Sequence, residues 1–215
     1  MAGERKARRR VPLRARHRLS DGTELEIRPI QAGDKEGLAE GFAHLSPESR
    51  YRRFLSPIDR LTDSSLAYLT EVDHHDHEAL VAIVRGTREP VGVGRFIRID
   101  DEPAIAEVAV AVPDAWQGRG VGSELLARLA ERAREEDVAT FRATCLSDNA
   151  EALHLLEALG PDRPLGSGAG VIELEVDLNS PMRRENPLRR ALREAAAGML
   201  SFANPRRGRD EPGAD

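Results

Sequence analysis

Residues 24–30 alternate polar and apolar side chains, the period-two pattern of a strand with one buried face. Beyond Gly33 the period changes. Leu38, Phe42 and Leu45 recur at spacings of four and three, which predicts a helix. Ser46 followed by Pro47 is an N-cap with proline at the first helical position, and it starts a second helix running through Arg53. Thr62 caps a third helix that carries Leu66 and Leu69. The β-rich runs at 79–84 and 91–99 flank a turn at 86–90 and predict a hairpin, and 104–112 adds a strand rich in Ala and Val. Residues 120–136 predict a long amphipathic helix with Leu125, Leu126, Leu129 and Ala133 on one face. A strand at 141–146 follows, then a helix opened by Asp148 and Glu151 as a capping box and ended by Gly160. An alternating strand at 171–178 closes the order β-α-α-α-β-β-β-α-β-α-β, which predicts an α/β domain on a mixed sheet.

Composition adds the class of protein. A chain of 215 residues, 40% apolar and 32% charged, is expected to form one soluble globular domain with flexible ends. No apolar run approaches the ~18–20 residues that span a bilayer, and the basic start leads into no signal-like apolar stretch, so the expected location is cytoplasmic without membrane contact. The lone Cys145 excludes an internal disulfide and a cysteine-rich zinc site. It reads as strand packing rather than an acyl carrier.

Charge is distributed unevenly. Residues 1–18 carry eight Lys/Arg against one Glu and read as a basic, disordered arm. Residues 181–215 form a tail, in which an amphipathic basic helix at about 187–202 offers Leu188, Leu192, Ala195, Met199 and Phe202 to its own domain or to a second copy in a homodimer. The domain itself, 19–180, is strongly acidic, which favours a cationic substrate and, with only two lysines in the whole chain, opposes nucleic acid as a partner.

Chemistry concentrates in Val110-Ala-Val-Pro-Asp-Ala-Trp-Gln-Gly-Arg-Gly-Val-Gly-Ser123, where a strand meets the long helix. Glycines at 118, 120 and 122 let the backbone turn sharply and approach a ligand. The helix that follows brings unpaired N–H groups and the positive end of its dipole, which suits a phosphate or pyrophosphate. The dinucleotide pattern G-x-G-x-x-G is not met, since Leu125 stands at its third glycine, and no lysine completes a P-loop. The cluster Asp73-His-His-Asp-His77 holds potential metal ligands, but adjacent residues of an extended segment point to opposite faces, so it reads as a polar turn and no metal is expected.

Gln117-Gly-Arg-Gly-Val-Gly122 resembles the acetyl-CoA signature of the GNAT N-acetyltransferases, and the likeness extends from about residue 23 to 178. More narrowly, Leu45-Ser-Pro-Glu-Ser-Arg-Tyr-Arg-Arg-Phe54, Gly94-Arg-Phe96, Ala106-Glu107 and Leu146-Ser-Asp-Asn149 are similar to bacterial protein lysine acetyltransferases of the Pat type. Those often carry a fused acyl-CoA synthetase or cyclic-nucleotide domain, and with 22 residues before the fold neither is expected in this sequence. The resemblance implies a GNAT fold with a mixed, mostly antiparallel sheet flanked by helices. It implies acetyl-CoA as co-substrate. The backbone of Val110, Ala111 and Val112 would pair with pantetheine. The N–H groups of Gln117, Gly118, Arg119, Gly120, Val121, Gly122 and Ser123 would hold the pyrophosphate, and Asn149 would touch pantetheine or the adenosine end. Trp116 reads as a packing anchor.

Acetyl transfer to an amine of pKa ~10.4 requires a base, and the resemblance assigns that part to Glu107. Strand alternation sets Glu107 on one face with the small Ala109 and Ala111, leaving space beside its carboxylate. Tyr51, Arg52 and Arg53 could line the acceptor opening, with His77 near it. One departure stands out: the tyrosine that protonates the leaving thiolate in many members is replaced by Leu156, and His154 points elsewhere on the helix. A thiol of pKa ~8.5 can leave without an acid, so catalysis remains the expectation. The acceptor is expected to be a protein lysine. A small cationic amine such as a polyamine or aminoglycoside is the alternative within the enzyme class, and a non-catalytic acyl-CoA-binding module is the alternative outside it.

Overall fold

The computed structural model describes residues 14–180. Eight strands form one sheet: β1 (Ala15–Arg18), β2 (Glu24–Pro29), β3 (His77–Val84), β4 (Pro90–Ile99), β5 (Glu102–Ala111), β6 (Thr140–Leu146), β7 (Asp162–Gly168) and β8 (Val171–Asp177). Their spatial order is β1-β2-β3-β4-β5-β6-β8-β7, antiparallel throughout except where β6 joins β5 in parallel. Helices α1 (Lys35–Ala43), α2 (Pro47–Phe54) and α3 (Asp63–Thr70) lie between β2 and β3 in the chain; α4 (Val121–Glu135) follows β5, and α5 (Ala150–Glu157) follows β6. The expected mixed, mostly antiparallel α/β architecture is present.

The capping chemistry acts as the sequence suggests for two of the three early helices. The Ser46 hydroxyl accepts from Ser49 N–H at 3.1 Å, and the Thr62 hydroxyl accepts from Ser65 N–H at 3.1 Å. At α5 the cap is shifted by one residue. Asn149, not Asp148, caps it, its Oδ1 accepting from Ala152 N–H at 3.1 Å.

Two strands escape the hydrophobic pattern because each is an edge. Ala15–Arg18 was expected within the disordered arm, yet pairs with β2 through Ala15↔Ile27 to Arg18↔Glu24. Its side chains are charged or small, as protected edge strands are, so the pairing rests on backbone hydrogen bonds and on His17 against Glu124 at 3.2 Å. Strand β7 is exposed along its whole length and contains Pro164, which a central strand would not tolerate. The rest of the arm and the expected helix at 187–202 lie outside the described residues.

Alternation along β4 divides the molecule into two sides. Gly92, Gly94 and Phe96 face α4, whose Val121, Leu125, Leu126 and Leu129 are buried in the core. The helix sits so close that a Cβ at Gly94 would stand 2.8 Å from Leu129 Cδ1, which is why that position is glycine. Arg95 faces the other way, toward α3, and donates to Leu69 O at 3.2 Å. No helix among the described residues is long and apolar enough to cross a membrane.

Candidate functional site

The site begins where two strands part. Strands β5 and β6 pair only at Ile105↔Thr140, Ala106↔Phe141 and Glu107↔Arg142. Beyond Glu107 they separate, and β6 continues on β8 alone. The opening is a cleft of about 440 Å³ lined by Val108 to Val112 on one wall and Ala143, Thr144 and Cys145 on the other. Along it β5 keeps β4 as its one neighbour, with Ala109 opposite Arg95 and Ala111 opposite Val93, so the backbone groups that face β6 are left for a ligand strand to pair.

The glycine turn closes the mouth of this cleft. Gly118 (φ +69°) and Gly120 (φ +90°) hold left-handed conformations that other residues resist, and open space surrounds both. Gly120 occupies the N-cap of α4 and no side chain caps that helix, so the first N–H groups of the helix remain free. Gly118, Gly120, Gly122 and Ser123 all line the cleft, and free donors at a helix start suit the pyrophosphate of a coenzyme. The arrangement fits the group that the sequence resemblance implies: an open backbone edge, a glycine cradle and a positive helix end in one channel.

Several assigned side chains turn out to be committed. Gln117 spends its amide on Val112 O at 3.0 Å and on the Ser49 hydroxyl at 3.1 Å. Arg119 pairs with Asp21 and lies 3.9 Å over the Trp116 ring. That ion pair, together with the Thr23 N–H, holds the Asp21 carboxyl down at about 2, the N–H bond being the larger cause. Trp116 in turn donates to Glu89 at 3.2 Å, as an anchor would. Asn149 lines the cleft, but its carbonyl is used as the α5 cap.

Sequence reasoning missed Asp114. Its carboxylate accepts from Ser46 N–H, the Ser46 hydroxyl and the Ser49 hydroxyl, each at 2.9 Å. Through Ser49 and Gln117 this network ties the start of α2 to the glycine turn. An Asp three residues after the strand, with two serines sixty-odd positions earlier, leaves no local signal in a single sequence.

Glu107 is exposed on the face that carries Ala109, at the last β5–β6 pair. Among the described residues no ion pair occupies its carboxylate: the adjacent Arg142 binds Glu102 at 2.9 Å and Glu175 at 2.7 Å instead. His77 stands on the same side of the sheet. Burial, and secondarily the charge of Arg95, lowers its imidazole to about 4, so it is neutral at pH 7 and a weak base. Its Nε2 lies 3.0 Å from Arg95 Nη1 and therefore acts as the acceptor, with the proton on Nδ1.

The remaining histidines of the 73–77 segment are structural. Asp73 accepts the N–H groups of His75, Asp76 and His77, folding the segment into a tight loop. His74 reaches Glu78 at 2.8 Å and His75 reaches Glu136 at 2.5 Å. Among the described residues no three His, Cys, Asp or Glu side chains converge on a metal position. Leu156 is buried in the core, so no hydroxyl replaces the absent tyrosine there; His154, exposed, lines the cleft mouth. Burial pushes the Cys145 thiol up, which opposes a nucleophilic role.

Similarity to known proteins follows the same boundaries. Residues 42–160 match the family model described as "Acetyltransferase (GNAT) family". The acetyltransferase Pat of Mycolicibacterium smegmatis is 36% identical over 152 residues, covering 71% of this chain and 45% of its own length. The chain thus spans about half of that relative. An acetyltransferase of Pseudomonas aeruginosa is 31% identical over 144 residues, 66% of this chain and 77% of its own. The crystal structure of the GNAT domain of S. lividans PAT superposes with a TM-score of 0.70 at 35% identity, covering 77% of this chain and 97% of that one. With the parted strands, the glycine turn and a matching model across more than half its length, this chain belongs to the GNAT acetyltransferase family.

Proposed function

We propose that this chain is an acetyl-CoA-dependent N-acetyltransferase whose acceptor is a protein lysine and whose general base is Glu107. The observation that carries the reading is the parting of β5 from β6 immediately after Glu107, so that the cleft begins at Val108, one residue past the carboxylate-bearing position, and runs to a helix N-terminus. A lysine-like amine is mostly protonated at neutral pH, with pKa ~10.4, so it must lose a proton before it can attack. Glu107 takes that proton directly or through a water. The neutral nitrogen then forms a bond to the thioester carbonyl carbon, the carbon–sulfur bond breaks with its electron pair leaving on the CoA thiolate, and the nitrogen's second proton passes to water, so a thiol of pKa ~8.5 needs no acid to depart.

The protein's other parts position the reactants. The free edge of β5 from Val110 to Val112 supports the pantetheine arm, and the glycine turn with the start of α4 supports the pyrophosphate. A protein lysine as acceptor is supported by the likeness to acetyltransferases named Pat. The test is thiol release from acetyl-CoA with a panel of lysine peptides, polyamines and aminoglycosides. Turnover with lysine peptides above all other amines is the expected result. Tight binding of acetyl-CoA with no turnover on any amine would remove the enzyme reading and leave a binding module.

A further inference from the structure

Arg95 is an anomaly among the buried charges. Its side chain is 4% exposed, yet no carboxylate lies within ion-pair distance among the described residues. The contacts it makes are to neutral acceptors, Leu69 O at 3.2 Å and His77 Nε2 at 3.0 Å, and both use Nη1. Nε and Nη2 remain, the edge of a guanidinium that meets both oxygens of a carboxylate. They are not sealed in: the one fully buried side-chain nitrogen or oxygen without a partner among the described residues is Arg50 Nε, so the free edge of Arg95 opens on the cavities beside it. Arg53 of α2 lines the same two cavities, of about 1120 and 490 Å³, with no ion pair of its own among the described residues. Burial, and then the charge of Arg53, pulls the Arg95 guanidinium down to about 10. The larger cavity is also lined by Glu24, Glu26, Asp34, Glu36 and Glu40, whereas the smaller has no carboxylate in its lining, and there two unneutralised cations among Phe54, Leu61 and Leu69 are costly unless something anionic joins them.

The register puts Arg95, one member of this cationic pair, beside the proposed base. Arg95 pairs with Ala109 and Ile97 pairs with Glu107, so Arg95 and Glu107 are diagonal neighbours on one face, at a spacing of about 7–8 Å. We infer that Arg95 and Arg53 form the specificity site of the acceptor and receive a carboxylate carried one side chain away from the reacting amine. The inference rests on the acetyl-transfer reading and narrows it. The acidic charge of the domain as a whole favours a cationic substrate at long range, but the acceptor opening holds two cations of its own. Polyamines and aminoglycosides are therefore disfavoured there, and a lysine flanked by Asp or Glu is favoured. A free amino acid offers the same carboxylate from a different source. A phosphate would ask the site to accept a second negative charge with part of Arg95 already engaged.

The test uses the full chain with saturating acetyl-CoA and matched lysine peptides that carry Glu, Gln or phosphoserine beside the lysine, with free lysine as a further arm. Specificity is read as the ratio of kcat/KM values between the Glu and Gln peptides, which cancels general loss of activity. We expect a ratio of about ten or more in wild type, the size of one charge-assisted contact, carried by KM. In Arg95→Gln the ratio should collapse toward one, and in Arg53→Gln, a change on a partly exposed helix face that spares the core, it should fall. Free lysine favoured over every peptide would assign the carboxylate to an amino acid and support the site. A ratio near one in wild type, a ratio unmoved in both variants, or preference for phosphoserine would overturn it. Calorimetric binding of the Glu peptide in the presence of CoA separates the two readings. Binding that depends on Arg53 without any turnover would sink acetyl transfer and keep the carboxylate site. Turnover with no charge dependence would do the reverse.

Discussion

The two faces of the central strands handle charge in opposite ways. On the α4 side, Glu78 is fully buried and completely answered: Arg132 Nε donates at 3.1 Å, His74 at 2.8 Å and Ala79 N–H at 3.0 Å. On the α3 side, Arg95 is nearly as buried and lacks a carboxylate, while Glu107 is exposed and lacks a cation among the described residues. Neighbouring positions on adjacent strands thus carry closed and open electrostatics. A closed pair stabilises one arrangement and offers nothing to a ligand. An open charge costs stability and persists where a substrate completes it. The difference divides the molecule into a side whose charges are closed within the fold and a side whose charges are left open to a ligand.

That division can be broken most visibly at Glu78. Glu78→Ala strips Arg132 Nε, His74 and the Ala79 N–H of their shared acceptor while Arg132 keeps Glu135 and Glu136, and the expected loss is about 3 kcal/mol of unfolding free energy, measured by urea denaturation. Cofactor affinity in the fraction that stays folded should be unchanged. Next in size is Gly94→Val, which forces a branched side chain into Leu129 Cδ1 and should cost about 1–3 kcal/mol by overpacking, again without a direct effect on the cleft.

At the cleft, Gly120→Asp and Gly120→Ala share the same backbone strain at φ +90° and differ by one negative charge at the start of α4. Calorimetry should show the Asp variant binding acetyl-CoA about tenfold more weakly than the Ala variant, although an acidic N-cap favours the helix itself. Equal affinities would place the pyrophosphate elsewhere. The smallest expected effect is the pH dependence contributed by His77. Its folded pKa of about 4 lies below the ordinary histidine value of 6.5, so between those values the unfolded chain binds a proton that the folded one does not. Stability should therefore fall as pH drops through that window, and the thermal midpoint of His77→Gln should fall less over the same range.

What the sequence made legible follows the same line. Periodicity found every element with a buried stripe, including α4 with Leu125 and Leu129 and the hairpin of β3 and β4. It found neither edge strand, because β1 and β7 bury almost nothing and are held by backbone pairing and by charged side chains such as His17 and Arg163. At the site, the glycine turn was visible because its geometry demands a residue type. The Asp114 network and the bare edge of Arg95 were not, because both arise from residues that only the fold brings together. The shift of the α5 cap from Asp148 to Asn149 is of the same kind: either residue can cap, and the path of the chain leaving β6 chose.

The proposed chemistry rests on Glu107, whose conversion to Gln keeps size and hydrogen bonding while removing the proton acceptor. The decisive measurement is acetyl-CoA turnover by Glu107→Gln from pH 7 to 9.5, with its unfolding midpoint and its acetyl-CoA affinity recorded in the same preparation. An exposed carboxylate with no ion pair among the described residues contributes little to folding, so midpoint and affinity should match wild type. Turnover at pH 7 should fall by roughly 10²–10⁴-fold and recover in part as the pH rises and more of the acceptor amine is neutral without help. Turnover near the wild-type rate at pH 7 would contradict the account, and would show that the proton leaves the amine by another route.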